Sequence, residues 1–198
     1  VKMLNSNIDS NRCYLYGNKN PESFYKSLLV INNPEFIIKN KYERNQEILT
    51  IKKEMAYALK GSIYEQYNYN YLCGGHNSKA DAIVKDLINK ESYVNKHICQ
   101  LVCDYLKHHL IVFNTVEKGF DIYIHNGTMM TIEERKNTLR IQRNADSGFY
   151  LIINYNGTYL PCLYVDTHHL FSNQLPISLI NSYEFYNQDF YDKVVVKP

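Results

Sequence analysis

The chain has 198 residues, 45% of them hydrophobic and 21% charged, which is enough to bury one sizeable core and excludes a disordered polymer. A net charge of +2 gives no basic footprint for a nucleic acid. No run approaches the roughly 20 apolar residues of a membrane helix, and residues 1–12 are too polar for a signal peptide.

The five cysteines, Cys13, Cys73, Cys99, Cys103 and Cys162, are odd in number and share no repeated spacing. That argues against a secreted disulfide framework and for a reducing compartment. Trp is absent while Tyr, Asn, Ile and Lys are abundant, a bias that AT-rich codons produce and that some intracellular parasites and large DNA viruses share. The chain begins with Val, so a missing start or a longer parent protein is expected.

In chain order, residues 1–19 read as a polar arm carrying a short strand at Cys13-Tyr14-Leu15-Tyr16 and a turn at Gly17-Asn18. Residues 20–198 read as a single domain. Asn20 is a good N-cap, Pro21 fits the first helical position and Glu22 favours the positive end of the dipole, so a helix is expected over 21–31. Phe24, Leu28 and Ile31 recur on one face of it, and Asn32-Asn33-Pro34 ends it. Ser23 then lies within the first turn, where a reactive side chain would feel the helix N-terminal amides.

A second helix is expected over 41–60 with Ile48, Ile51, Met55 and Leu59 inward and Gly61 as the C′ residue. Residues 62–76 read as a surface loop ending in Cys73-Gly74-Gly75-His76. The Gly-Gly pair lacks the Lys-Ser/Thr and preceding strand of a phosphate loop. A third helix starts at Asn77 or Ser78 with Ile83 and Leu87 inward. A fourth runs from Glu91 to Leu106, striped by Val94, Ile98, Leu101, Val102 and Tyr105. Cys99 and Cys103 lie one turn apart on it and read as buried helix cysteines, a zinc pair lacking further ligands nearby.

From there the period becomes that of strands: His109–Asn114, Phe120–His125, Thr128–Ile132 across an Asn126-Gly127 hairpin turn, and Thr138–Gln142. A second hairpin pairs Phe149–Tyr155 with Thr158–Val165 across Asn156-Gly157. Pro161 places the returning strand at an edge or bulge. Ser178–Tyr191 reads as helical and Val194-Val195-Val196 as a last strand. Helices first and then an antiparallel β-meander make an α+β domain.

This order, with Ile98-x-x-Leu101-Val102-x-x-Tyr105-Leu106 running into Leu110-Ile111-Val112-Phe113, resembles the ovarian-tumour (OTU) family of papain-like proteins. In that family a motif Asp-Gly-x-Cys-hydrophobic-aromatic-x-Ser-Leu opens the first helix. Ser23-Phe24-Tyr25-Lys26-Ser27-Leu28 resembles it with serine at the cysteine and without the upstream Asp. The family's catalytic histidine precedes an aromatic residue in a late strand, and the similar position here is Thr158, before Tyr159. Gly157 to Tyr164 is also similar to degenerate OTU-like domains of nucleocytoplasmic large DNA viruses, some of them parts of transcription-factor or virion proteins.

The resemblance implies a papain-like fold over about residues 14–166 and family-equivalent site positions Ser23 and Thr158. It also implies lost catalysis, since a serine hydroxyl is un-ionised at neutral pH and needs a dedicated base. Alternative bases are His168 and His169, oriented by Asp166 or Asn173, or these are two loop histidines. Cys73 with His76 could form a nucleophile pair or belong to a structural loop. His108-His109 fits a helix C-terminal dipole partner better than a metal site.

Taken together, these readings point to a catalytically silent OTU-like interaction or structural module within a viral or other intracellular assembly, in the host cytoplasm or the virion. No cofactor, metal, nucleic acid or membrane is expected. The partner is a protein, ubiquitin or a component of a viral assembly. The alternative is an active cysteine deubiquitinase, with Ser23 a replaced nucleophile or another cysteine in that role. Stacking of bases on the tyrosines is a weaker reading, because Lys and Arg are not concentrated in one run.

Overall fold

The computed structural model describes residues 13–15, 22–72, 77–89, 94–117, 119–141, 149–165 and 171–172. In chain order these form strand β1 (Cys13–Leu15), helix α1 (Ser23–Asn32), a 3-10 turn (Pro34–Ile38), α2 (Lys41–Ala58), a π-helical turn (Leu59–Ile63), the short α3 (Tyr64–Gln66) and α4 (Tyr69–Leu72), and α5 (Asn77–Ile88). There follow α6 (Lys96–Leu106), β2 (His109–Asn114), β3 (Gly119–Tyr123), α7 (Ile132–Ile141), β4 (Phe149–Tyr155), β5 (Thr158–Val165) and β6 (Phe171–Ser172).

The helical periodicities read from the sequence become the core. Phe24, Leu28 and Ile31 from α1, Ile48, Ile51 and Met55 from α2, and Ile98, Leu101 and Val102 from α6 are all buried. They pack against Leu110, Val112, Tyr150 and Ile152 on one face of the sheet. Two caps fix where these helices begin. Asn40 and Glu43 bond each other's backbone amides as a capping box for α2, and the Asn95 side chain accepts from the amides of His97 and Ile98. The second cap starts α6 at Lys96, five residues later than the apolar stripe alone suggests.

The class is α+β, but the sheet is mixed where the sequence suggested an antiparallel meander. Its order is β1-β5-β4-β2-β3, with β6 paired to β5. β2 runs parallel to β4, His109 opposite Phe149 through Asn114 opposite Asn154, and the other pairings are antiparallel. A parallel pair needs a crossover of a dozen or more residues, and the stretch containing α7 supplies it.

That helix overturns two expected strands. Asn126-Gly127 does turn the chain, with the Gly127 N–H bonded to the Ile124 carbonyl at 2.8 Å, but it leads into α7 and no strand forms over 128–132 or 138–141. The reason is local. Thr131 and Glu134 bond each other's backbone amides, a capping box legible as Thr131-x-x-Glu134 but outweighed by the β-branched residues around it. β3 already has its partner in β2. Its other edge is covered from α7, where the Arg135 guanidinium donates to the carbonyls of Ile122, Gly127 and Met130.

Two further corrections concern residues 59–72. Gly61 does not terminate α2. It sits in a kink with φ −109° and ψ −118° inside the π-helical turn, beyond which the chain coils again. The expected surface loop contains α3 and α4 and buries Tyr67 and Tyr69, at 5% and 0% exposure. Helices this short show no periodicity to read. Pro161, by contrast, behaves as its chemistry requires. β4 pairs with β5 from Thr158 to Pro161 and β1 pairs with it from Cys162 to Tyr164, so the proline stands where one partner gives way to the other. The helix expected over 178–191 and the strand at Val194–Val196 lie outside the described residues.

A candidate site where the first helix meets strand β5

Helix α1 begins at Ser23, so the serine is its first residue. The expected cap Asn20 and first-turn Pro21 lie outside the described residues. Glu22 occupies the capping position in a left-handed conformation, φ 67°, with no side-chain cap bond. An α-carbon bearing a side chain adopts that conformation at a cost, and here other contacts hold it. The Glu22 carbonyl accepts from the Lys26 N–H at 3.0 Å, opening the helical ladder. Its carboxylate accepts from Lys52 Nζ at 2.7 Å. Lys52 is 2% exposed, and its ammonium lies 4.3 Å from the centroid of the Tyr25 ring.

Ser23 and Ser27 face β5 one helical turn apart, and both are buried. The Ser23 Oγ accepts the Tyr159 N–H at 3.0 Å, and the Ser27 Oγ donates to the Tyr159 carbonyl at 2.9 Å. One turn of α1 therefore grips both backbone groups of a single strand residue. Phe24, between them in sequence, meets the Tyr159 ring edge-to-face at 5.1 Å. Burial pushes the Tyr159 phenol up to about 12, so it stays protonated.

Ser23→Ala would leave the Tyr159 N–H without that acceptor, with an expected loss of about 1–3 kcal/mol, and Ser27→Ala about 1 kcal/mol. Because both hydroxyls serve one residue, a double-mutant cycle by urea unfolding should show clear coupling. Fully additive losses would mean that the clasp does not act as a unit.

Of the positions singled out in the sequence, Ser23 and Thr158 come near each other: Ser23 bonds the residue directly after Thr158, which opens β5 opposite Tyr155. Asp166, His168, His169, Asn173, Cys73 and His76 lie outside the described residues. Cys99 and Cys103 are core residues of α6. Burial pushes the Cys99 thiol up to about 12 and Cys103 well above its ordinary value, so neither offers a thiolate near neutral pH. The Cys103 Sγ is directed at the Tyr123 carbonyl at 3.5 Å. Cys162 is buried as well. His108 takes the helix-end role, its Nδ1 2.7 Å from the Leu106 carbonyl and its ring stacked on Tyr150 at 4.8 Å. His109 enters β2, and its Nδ1 accepts the His125 N–H at 3.1 Å, which puts any single ring proton on Nε2.

Sequence reading missed two buried charges. Lys52 lies four residues after Ile48 and three before Met55, on the apolar stripe itself, and that spacing was the available signal. Asp104 lies four residues after Gln100 within α6 and is 1% exposed. Its Oδ2 accepts from the Tyr69 hydroxyl at 2.8 Å and from Gln100 Nε2 at 3.2 Å, and its Oδ1 from the Asn126 N–H at 2.7 Å. Burial raises the Asp104 pKa against the opposing pull of these three bonds. Gln100 Nε2 also reaches the Ile124 carbonyl at 2.8 Å, and the Thr128 hydroxyl bonds the Tyr67 carbonyl. The network thus ties α4 and the turn at 124–128 to α6.

No family model matches the chain, and no curated protein matches it. Among solved structures, it is similar to an ovarian-tumour domain in complex with ubiquitin, at 9% identity and a TM-score of 0.46, with 92% of this chain and 85% of that chain covered.

Proposed function

We propose that the chain is an OTU-like module that binds a protein partner and does not hydrolyse it, within a viral or other intracellular assembly. The observation that carries this reading is the engagement of Ser23. The residue at the nucleophile-like position is 2% exposed, and its oxygen is tied to strand β5 by the Tyr159 N–H, the bond of a structural group. Thr158, at the histidine-like position, has no basic group to replace the missing base. The burial of Cys99, Cys103 and Cys162 weighs against a substitute nucleophile among them. Exposed Tyr42, Tyr57 and Tyr71, at 72%, 85% and 66%, add apolar area with a polar handle of the kind protein interfaces use.

The test is reaction with an electrophilic ubiquitin probe, run on the chain, on Ser23→Cys and on Ser23→Cys/Thr158→His, with ubiquitin binding measured in parallel by titration. No adduct with the chain or with Ser23→Cys is expected. An adduct on Ser23→Cys alone would mean that a base survives, His168 or His169 being the candidates, and would favour the deubiquitinase alternative. Labelling of the unaltered chain, mapped to Cys13 or Cys73, would overturn the proposal.

A further inference from the structure

The chain contains two Asn-Gly pairs whose asparagines are left-handed, Asn126 at φ 60° and Asn156 at φ 49°. In this dipeptide the asparagine amide is open to attack by the following backbone nitrogen, because glycine has no Cβ to obstruct the five-membered ring. The fold treats the two pairs differently. At the first, the Asn126 N–H is bonded to Asp104 Oδ1 at 2.7 Å and the Gly127 N–H to the Ile124 carbonyl at 2.8 Å. Gly127 is packed so closely that a Cβ there would lie 2.6 Å from the Ile124 oxygen. At the second, both residues are exposed, and a Cβ on Gly157 would meet nothing within 4 Å. The Gly157 N–H is held by the side chain of Asn154, at 2.9 Å, in place of packed backbone.

We propose that Asn156 is a site of spontaneous deamidation in the folded protein and that the fold protects Asn126. The Gly157 nitrogen attacks Asn156 Cγ, forming the C–N bond of a succinimide. Hydroxide takes the Gly157 proton, the water so formed returns a proton to the side-chain amide nitrogen, and that nitrogen leaves as ammonia with hydroxide regenerated. Water then opens the ring at either carbonyl, giving aspartate or isoaspartate, with no change in oxidation state. Either product places a carboxylate in a neutral turn, and isoaspartate adds a methylene to the backbone beside the Tyr155–Thr158 pair. Tyr159, the residue held by Ser23 and Ser27, is the next one along.

The experiment incubates the full folded chain at neutral and mildly alkaline pH and follows both peptides by mass spectrometry and isoaspartyl-methyltransferase labelling. Conversion at Asn156 is expected to exceed that at Asn126 by at least about tenfold, since the Asn126 turn must first open against the core. The rate should rise with pH, and in denaturant the two sites should converge. Equal rates in the folded chain, faster conversion at Asn126, or no conversion at Asn156 while the denatured chain converts both would overturn the assignment.

Discussion

Asp104→Ala is expected to destabilise the protein by about 3–5 kcal/mol, because three donors lose their acceptor at about 1–3 kcal/mol each and partial relaxation offsets some of the sum. The Tyr69 hydroxyl, Gln100 Nε2 and Asn126 N–H all donate to this carboxylate, and the substitution leaves the three without it. Tyr69→Phe removes a single donor and should lose only about 0.5–1.5 kcal/mol. The effect also depends on pH. Burial raises the native pKa of Asp104 above the unfolded value, roughly 3.9 for an aspartate. Protonation is therefore easier in the native than in the unfolded state, and this group's contribution to stability is full below the unfolded value and is lost as pH rises through the native one. The gap between wild type and Asp104→Ala should be widest in acid and narrow toward neutrality, as read by urea midpoints across the range. A gap that widens with pH would contradict the inferred direction.

Lys52→Ala is expected to lose a comparable amount, about 3–5 kcal/mol. The lysine stem is packed in the core, and its ammonium is bonded to Glu22 and lies over the Tyr25 ring. Truncation removes that packing and leaves the Glu22 carboxylate without its counter-ion at the start of α1. Replacing both partners should be far milder, so Lys52→Met with Glu22→Gln is expected to recover most of the loss in a double-mutant cycle. If Lys52→Met alone and Lys52→Met with Glu22→Gln were equally destabilised, the stranded Glu22 carboxylate would not be the source of the loss.

The elements legible in the sequence are those with a sustained period. The stripes of α1, α2, α5 and α6, strand β2 and the hairpin of β4 and β5 are where apolar spacing and turn chemistry put them. Residues 59–72 and 128–141 were misread for opposite reasons. In the first, helical turns too short to show a period are held by buried tyrosines. In the second, a local capping box outranks strand propensity, and the helix it starts brings Arg135 to the Ile122 carbonyl of β3.

The sequence by itself determined the α+β class, the helix faces that form the core, and a serine at the head of α1. Each follows from local chemistry: periodicity, propensity and the identity of one residue. The tertiary structure alone decided that β2 and β4 run parallel, that Ser23 and Ser27 grip Tyr159, and that Lys52 and Asp104 are buried with partners. Those outcomes join residues 22 to 136 positions apart, as in Asp104 with Asn126 and Ser23 with Tyr159. A charge on an apolar stripe is tolerable only when the packed chain brings it an opposite charge or hydrogen-bond donors, and no local rule states which residues will arrive.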